Sequence, residues 1–415
     1  MTELEKLGQN AKKAARGLLM ATTEEKNDAL QKMADVLLAK TDFILEENQK
    51  DLENAKQNGM STSMLDRLAL SKERLAGMAK GILEVKALPD PVGKILEEST
   101  RPNGLHIQKI TVPLGVLAVI FEARPNVTSD AASLALKSGN AIVLRGGKEA
   151  IFSNTAIVSV LREALKQSAL SPDCIALVQD TSHEGARALM RLNEYIDVLI
   201  PRGGRNLIRS TVENATVPVI ETGVGNCHIY VDKAADIDMA VGIVENAKTS
   251  RVSVCNAAES LLVHEAIAKE ALPKICAALE KKDVTLYGDA RAKAILPQIE
   301  SASEEDFFTE YLDYKMSVQI VDSLEEAISK IYTYSTGHSD CIVTEDDAAA
   351  NRFLREVDSA AVYHNASTRF TDGGCFGFGA EIGISTQKLH ARGPLGLPQL
   401  TSFKYQITGN GQRRI

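Results

Sequence analysis

Gly115-Val-Leu-Ala-Val-Ile-Phe121 is a continuous apolar run of strand length, and Ala141-Ile-Val-Leu144 is a second one. Apolar runs that do not alternate with polar residues are typical of strands buried on both faces of a parallel sheet. Three more runs follow along the chain, at 175–178, 198–200 and 217–220. Amphipathic segments that predict helices separate the runs, at 129–137, 150–166, 184–192 and 205–212. The alternation predicts an α/β lobe whose parallel sheet is covered by helices on both faces.

The sequence on either side of this lobe predicts further elements. Residues 4–88 predict helices almost throughout, and Ser71 is a candidate N-cap of the last of them. A second series of strands begins near Cys227, at 228–231, 260–264, 284–287, 317–321, 341–344 and 360–363. Helices are predicted among these strands at 237–249, 266–279, 324–332 and 347–356. After Gly393, one alternating segment at 400–408 predicts an added strand. We therefore expect two α/β lobes in tandem, followed by a small arm.

The composition restricts the class of protein. The chain has 415 residues, enough for two or three domains. Its 47 Lys and Arg against 55 Asp and Glu give a net charge of −8, which disfavours non-specific binding to nucleic acid or to an anionic membrane. The most apolar stretch, 112–121, is far shorter than a transmembrane helix, and the N-terminus has no signal-peptide pattern. Six scattered cysteines without a CxxC pair predict a reduced, cytoplasmic setting.

Two basic, glycine-rich turns follow predicted strands. The first is Arg145-Gly146-Gly147-Lys148, after the run AIVL, and the second is Pro201-Arg202-Gly203-Gly204, after VLI. Glycine lets the backbone approach a ligand closely, and the N-terminus of the following helix favours an anion. Either turn alone is more often an ordinary turn with solvated charge, and the GxGxxG fingerprint is absent. Both turns in one sheet favour a phosphate-bearing cofactor.

Two further segments contain candidates for chemistry. Cys255 lies in a loop of small residues just before a predicted strand, where a thiolate could act as a nucleophile. A lone cysteine in apolar sequence is more often a small buried hydrophobe. Glu221 ends the run VPVI beside Gly223 and Gly225, which fits an active-site carboxylate or, equally well, a cap. The residues alone leave both questions open.

The order of these motifs resembles the aldehyde dehydrogenase superfamily. VPLGVLAVIFEARPN (112–126), SGNAIVLRGGKEA (138–150), VIETGVGN (219–226) and VCNAAESLLVH (254–264) match its successive motifs over nearly the whole chain. FEARPNVTSDAA (121–132), PRGGRNLI (201–208) and ARGPLGLPQLTS (391–402) are similar to the family of gamma-glutamyl phosphate reductases in particular. The departure is Lys330, where that family's signature has His, so no essential role is carried over to position 330.

The resemblance implies an architecture. It implies an aldehyde dehydrogenase-like α/β fold with two Rossmann-like parallel-sheet lobes and a small β oligomerisation arm. Residues 1–99 and 112–223 would form an NADPH-binding domain, 224–392 a catalytic domain, and 100–111 with 393–415 the arm. A homo-oligomer follows, either dimer or tetramer. A functional association with glutamate 5-kinase is also implied.

The resemblance also implies an activity, the reduction of L-glutamyl 5-phosphate by NADPH in the second step of proline biosynthesis from glutamate. Cys255 would be the nucleophile, and its backbone N–H and the Asn126 side chain would stabilise the oxyanion. The cofactor would contact Arg145, Gly146, Gly147, Lys148, Pro201, Arg202, Gly203, Gly204, Glu221 and Glu310. The cation Lys148 favours NADPH over NADH, because it would attract the 2′-phosphate.

Candidates for the substrate are less sharply defined. They are Arg251, Ser335, Thr336, His338, Arg369 and Asp372. Arg251 and Arg202 are the cations nearest Cys255 by sequence and by family topology, so either could bind the phosphoryl group. Alternatively, Arg202 would serve the cofactor and Arg251 would only support the loop. No motif indicates a metal site.

Three alternatives remain open. A CoA-acylating or hydrolytic member of the same superfamily would use Cys255 with a different acceptor. A non-catalytic binding protein could keep the fold, although intact Cys255 and Asn126 argue against that. A cysteine hydrolase would pair Cys255 with a histidine such as His264, but nine residues that run into a strand would separate the two.

Overall fold

The computed structural model describes residues 1–414, without the side chains of Thr62 and Ser63, and the predicted arm range therefore ends one residue beyond it. The chain divides into two compact units. Unit 1 contains Met1–Thr222, Gly377–Gly383 and the chain from Leu395 onward, and unit 2 contains Gly223–Phe376 and Ile384–Pro394. Both units are α/β structures.

Unit 1 begins with five helices, as the sequence predicts. They are α1 Glu3–Leu18, α2 Thr23–Ala39, α3 Thr41–Gln57, α4 Thr62–Leu68 and α5 Lys72–Ala87. Capping boxes begin α1 and α2, because Thr2 and Thr22 each exchange hydrogen bonds with a Glu three residues later. Ser71 caps α5 as predicted, its Oγ accepting from the Arg74 N–H at 3.2 Å.

A parallel sheet forms the core of unit 1. The strands of this unit before residue 223 are β1 Ile95–Thr100, β2 His106–Pro113, β3 Val116–Phe121, β4 Ala141–Arg145, β5 Ile175–Leu177 and β6 Val198–Arg202. The helices among them are α6 Asn126–Lys137, α7 Ile151–Leu165, α8 His183–Met190 and α9 Arg205–Asn214. The last four strands form the sheet in the order β5-β4-β3-β6, and every residue of β3 is buried. The continuous apolar run 115–121 is thus the central strand that its pattern predicts.

One predicted strand of unit 1 is wrong. Residues 217–220 form no strand, and only Val219 makes an isolated bridge, to Leu199. Pro218 has no N–H to donate to a neighbouring strand, which limits this segment to a single bridge. The predicted helix 129–137 also begins three residues too late, since α6 starts at Asn126.

Unit 2 contains a second, larger parallel sheet. Its strands are β7 Cys227–Val231, β8 Ala258–His264, β9 Thr285–Gly288, β10 Glu300–Ser301, β11 Lys315–Val321, β12 Ser339–Val343 and β13 Ala361–His364, with the short pair β14 Ile384–Ser385 and β15 Gly393–Pro394. Its helices are α10 Ile237–Thr249, α11 Glu265–Glu280, α12 Ala290–Ile295, α13 Glu304–Phe308, α14 Leu324–Tyr334 and α15 Asp347–Glu356. The seven-stranded sheet has the order β10-β9-β11-β8-β7-β12-β13. Its core includes Ile229, Leu261 and Val318, all fully buried.

A three-stranded antiparallel sheet completes unit 1. Its third strand is β16 Thr401–Thr408, close to the predicted segment 400–408, and it pairs with β2 over its whole length. The order is β1-β2-β16, so this sheet starts at Ile95, earlier than the predicted arm. Within the described chain, no helix is both long enough and apolar enough to cross a membrane.

Candidate active site

The predicted site residues of unit 1 lie at the carboxyl ends of its parallel strands. The chain runs from β3 to β4 and β5 on one side and then crosses to β6 on the other. Such a reversal of strand order leaves a crevice at the carboxyl ends, where open α/β sheets bind ligands. Asn126 begins the helix after β3, and Arg202 is the last residue of β6. Topology therefore brings the FEARPN and PRGG motifs to one edge of the sheet.

Asn126 has a partner that the sequence analysis did not identify. Its side chain is exposed, and Nδ2 donates a hydrogen bond of 2.9 Å to Oδ2 of Asp130, one turn later on α6. Burial raises the pKa of Asp130 to about 6, because hydrogen bonds from Asn126 and Ser129 and the charge of Arg202 offset the desolvation only in part. The i, i+4 spacing on a helix is the signal that could have paired the two residues.

The turn after β6 is held by a carboxylate from the end of β3. The Gly204 N–H donates to Oε2 of Glu122 at 2.9 Å. A β-carbon built on Gly203 would lie 2.7 Å from the carboxyl carbon of Glu122, so a larger residue would have to displace this carboxylate. Pro201 accepts a hydrogen bond of 2.6 Å from the Thr222 hydroxyl, next to the partly buried Glu221.

The turn after β4 contains buried donors without a partner in the described structure. Arg145 is buried, and its Nη2 donates to the carbonyl oxygens of Thr181 at 2.6 Å and Ser182 at 2.9 Å. Arg145 Nε and the Nδ2 of Asn154 have no hydrogen-bond partner among residues 1–414. A β-carbon on Gly146 would overlap that Asn154 amide, while Lys148 is exposed. Unsatisfied buried donors beside a glycine turn fit an anionic ligand.

In unit 2, three of the predicted residues lie at the opposite end of their strands. Cys255 precedes β8, His338 precedes β12, and Glu310 precedes β11. All three therefore lie near the amino edge of the parallel sheet. Cys255 is partly buried, whereas four of the six cysteines are buried and Cys375 is exposed.

The buried cysteines are unsuited to nucleophilic chemistry. Burial raises the pKa of Cys174, Cys276 and Cys341 to about 12 each, and raises the pKa of Cys227 as well. A thiol with so high a pKa is almost wholly protonated near neutral pH. Cys255 is thus partly accessible in a structured loop, whereas Cys227, which directly follows the VIETGVGN motif, is buried.

Hydrogen bonds fix the backbone around Cys255. The thiol of Cys227 donates to the Cys255 carbonyl oxygen at 3.2 Å. Asn256 donates from Nδ2 to the Thr371 carbonyl oxygen at 2.8 Å, and its own carbonyl oxygen accepts from the Thr368 hydroxyl at 2.7 Å. The cysteine loop is therefore attached to the segment that follows β13, and Asn256 is a site residue that the sequence analysis missed.

The other predicted residues of unit 2 support neighbouring loops. Glu310 Oε1 accepts from the Gly225 N–H at 2.7 Å, and the Thr336 hydroxyl accepts from the Asn226 N–H at 3.0 Å. Ser335 donates to Asp340 at 2.8 Å, and buried His338 makes a 2.8 Å contact with the Ser339 hydroxyl through Nδ1. Asp372 Oδ1 accepts from the Gly374 N–H at 2.9 Å.

A buried ion pair joins the helix and the strand that flank the cysteine loop in the chain. Lys248 Nζ and Glu259 Oε2 are 2.5 Å apart, and both side chains are fully buried. Burial lowers the pKa of Lys248 and raises the pKa of Glu259, and the charge of each partner acts against that change. Glu259 Oε1 also accepts from the Leu312 N–H at 3.2 Å, which connects the pair to the segment of Glu310. Across the described residues, no group of three His, Cys, Asp or Glu side chains has the arrangement of a metal site.

Comparison with known proteins identifies the relatives of this chain. The model of the aldehyde dehydrogenase family matches residues 1–313. A gamma-glutamyl phosphate reductase of Clostridium botulinum is 57% identical over 414 residues and covers 100% of both chains. One from Halalkalibacterium halodurans is 54% identical over 413 residues and covers 99% of both. The crystal structure of gamma-glutamyl phosphate reductase from Thermotoga maritima is 48% identical and covers 100% of both chains, with a TM-score of 0.98.

Proposed function

The chain belongs to the aldehyde dehydrogenase family, and from this premise we propose that it reduces L-glutamyl 5-phosphate with NADPH, yielding L-glutamate 5-semialdehyde and phosphate in proline biosynthesis. The observation that supports the proposal most directly is the setting of Cys255. Its loop is structured and partly accessible, and four of the other five cysteines are buried.

The chemistry proceeds through Cys255. The thiolate sulfur attacks the acyl carbon, a C–S bond forms, and the C–O bond to the phosphoryl group breaks as phosphate leaves with the electron pair. When bound, the nicotinamide cofactor supplies a hydride to the carbonyl carbon of the resulting thioester. The Cys255 backbone N–H and the Asn126 side chain are the proposed donors to the oxyanion. Collapse of the thiohemiacetal returns the thiolate and frees the aldehyde.

The glycine turns of unit 1 fit a phosphate-bearing dinucleotide. Arg145 Nε and Asn154 Nδ2 are buried donors without a partner in residues 1–414, and Gly146 packs against the Asn154 amide. Lys148 supplies an exposed cation for the 2′-phosphate that distinguishes NADPH from NADH. We keep Pro201 to Gly204, Glu221 and Glu310 as proposed cofactor residues.

The third sheet supports a homo-oligomer. Phe403, Tyr405 and Ile407 alternate along β16, share one face, and are 49%, 56% and 59% exposed. A row of exposed apolar side chains on an edge strand is typical of an interface. We propose that this sheet joins copies of the chain in the cytoplasm, and association with glutamate 5-kinase stays a proposal.

The reverse reaction tests the function. Purified protein with L-glutamate 5-semialdehyde should reduce NADP⁺ only when inorganic phosphate is present, because phosphate must release the thioester from Cys255. Cys255→Ala should abolish this reaction and leave NADPH affinity within a few-fold, whereas the matched Cys276→Ala should retain it. Release by CoA or by water alone would instead support the acylating or hydrolytic alternative.

A further inference from the structure

The guanidinium of Arg369 forms hydrogen bonds with both ends of the loop that contains the nucleophile. Its Nε donates to the Ser250 hydroxyl at 3.0 Å, and its Nη1 donates to Oδ1 of Asn256. Ser250 and Asn256 flank Arg251 and Cys255 in the chain. A single guanidinium therefore closes the loop from 250 to 256, and this loop contains Arg251 and Cys255.

Arg251, within the loop from 250 to 256, adds a second positive charge that acts on Arg369. Burial lowers the pKa of Arg369, and the like charge of Arg251 lowers it further, while Asp372, Cys255 and Cys375 act in the opposite direction. Neither arginine forms an ion pair within residues 1–414. Arg251 is exposed and Arg369 is partly buried, and two like charges that act on each other favour an anion between them.

We propose that Arg251 and Arg369 together form the binding site for the phosphoryl group of the acyl phosphate. The inference rests on the proposed function and assigns to Arg369 a role different from recognition of the amino acid head. As Cys255 attacks, the bridging oxygen keeps the electron pair of the broken C–O bond and the phosphate leaves as an anion. The two guanidinium groups stabilise that developing charge through charge-assisted hydrogen bonds.

The geometry favours the phosphoryl group over the α-carboxylate of the substrate. The phosphoryl group is bonded to the carbon that Cys255 attacks, whereas the α-carboxylate is several bonds farther along the substrate. Arg369 bonds to Asn256, the residue directly after Cys255. A phosphate dianion also matches two cations in charge, while a carboxylate matches one. The contact of Arg369 with the residue after the nucleophile, and the charge match of two cations with a dianion, therefore favour the leaving group as the ligand.

The test uses inorganic phosphate as the probe. In the oxidative direction, Arg251→Gln should raise the KM for phosphate roughly 10-fold or more and leave the KM values for NADP⁺ and semialdehyde within about twofold. Arg369→Lys keeps a charge but loses the paired bonds to Ser250 and Asn256, and we expect an effect in the same direction. Arg355→Gln, an exposed arginine on α15, is the matched control and should leave phosphate KM unchanged.

A second measurement needs no turnover. Phosphate should protect Cys255 from alkylation by iodoacetamide, and the concentration that gives half-protection should rise in both variants. Unchanged half-protection in Arg251→Gln and Arg369→Lys would overturn the proposal even if the enzyme proves inactive on glutamate semialdehyde. A rise in semialdehyde KM without one in phosphate KM would also overturn it, because the pair would then bind the α-carboxylate. Failure of the wild type to turn over, with phosphate protection intact, would refute the proposed function alone.

Discussion

Gly225 packs directly against the backbone of Cys255. A β-carbon built on Gly225 would overlap the Cys255 carbonyl oxygen and lie 2.8 Å from the Cys255 α-carbon. The restriction is steric, since Gly225 is not among the glycines with positive φ. The same glycine donates its N–H to Glu310 at 2.7 Å. Gly225 therefore determines how closely the cysteine loop packs, and its N–H also fixes the carboxylate of Glu310, a proposed cofactor residue.

Gly225→Ala should reduce kcat by at least an order of magnitude. The added methyl group must push the Cys255 backbone away, and overpacking of this kind costs about 1–3 kcal/mol of unfolding free energy. The control is Gly242→Ala on α10, where no atom lies within 4 Å of an added β-carbon. That variant should keep full activity and gain about 0.5–1 kcal/mol, since alanine favours a helix. Equal activity of the two variants would contradict the steric argument.

Lys148→Glu should shift coenzyme preference from NADPH toward NADH. A charge-assisted hydrogen bond is worth about 1.5–3 kcal/mol, so the ratio of kcat/KM for NADPH to that for NADH should fall roughly 10–100-fold. Lys166→Glu, an exposed charge reversal just beyond α7, serves as the control for long-range electrostatics. If both variants keep the wild-type ratio, another residue recognises the 2′-phosphate.

Asp130→Asn should stabilise the protein at high pH. The pKa of Asp130 is raised to about 6 in the folded state, from an ordinary value of 3.8. The folded state therefore binds this proton more tightly than the unfolded state, and ionisation costs stability that grows as the pH rises above about 4 and is complete above about 6. We expect the variant to gain about 1–3 kcal/mol at pH 8, with the gain shrinking as the pH falls toward 4.

Denaturant unfolding at pH 5 and pH 8 measures the Asp130 effect. The amide introduced by Asp130→Asn keeps an oxygen that accepts from Asn126, so the comparison isolates the charge. Asp42→Asn, whose side chain is 82% exposed, should change stability by less than about 0.5 kcal/mol at either pH. A gain of the same size at both pH values would show that Asp130 does not titrate in this range.

Lys248→Met should destabilise the protein strongly. The substitution leaves the fully buried Glu259 without its counter-ion, and breaking a buried pair in this way costs about 3–5 kcal/mol. Lys248→Met combined with Glu259→Gln should recover much of the loss, since Gln still accepts from the Leu312 N–H. Chemical unfolding of the two single variants and the double variant completes a thermodynamic cycle. Additive effects would mean that the two side chains are not coupled.

The strands were predictable from sequence where burial on both faces makes a run continuously apolar, as in residues 115–121. Residues 217–220 are equally apolar, yet they form only one bridge, at Val219, and Pro218 has no N–H with which to extend it. The start of α6 was missed because Pro125, its N-cap, offers no side-chain cap to recognise. Local sequence rules detect periodicity and caps, and they fail where the boundary depends on the surrounding chain.

Sequence rules predicted only part of the candidate site. Both glycine turns follow strands, so the carboxyl-end rule of parallel sheets places them. In unit 2, Cys255 and Glu310 instead precede their strands. They lie at the amino edge of the sheet, about which the carboxyl-end rule makes no prediction. Arg369 hydrogen-bonds to Ser250, 119 positions away in the chain, and to Asn256, 113 positions away. No local sequence pattern indicates such contacts.

Strand β2 is central in the third sheet, and its partner β16 lies far from it along the chain. About 290 residues separate the end of β2 from the start of β16. At translation rates of roughly 5–20 residues per second, β2 leaves the ribosome about 15–60 s before that partner exists. One edge of the strand stays unpaired throughout this interval, while unit 2 is made. A nascent chain that stalls before residue 401 therefore lacks the strand that covers this edge of β2, and an uncovered strand edge can pair with other nascent chains.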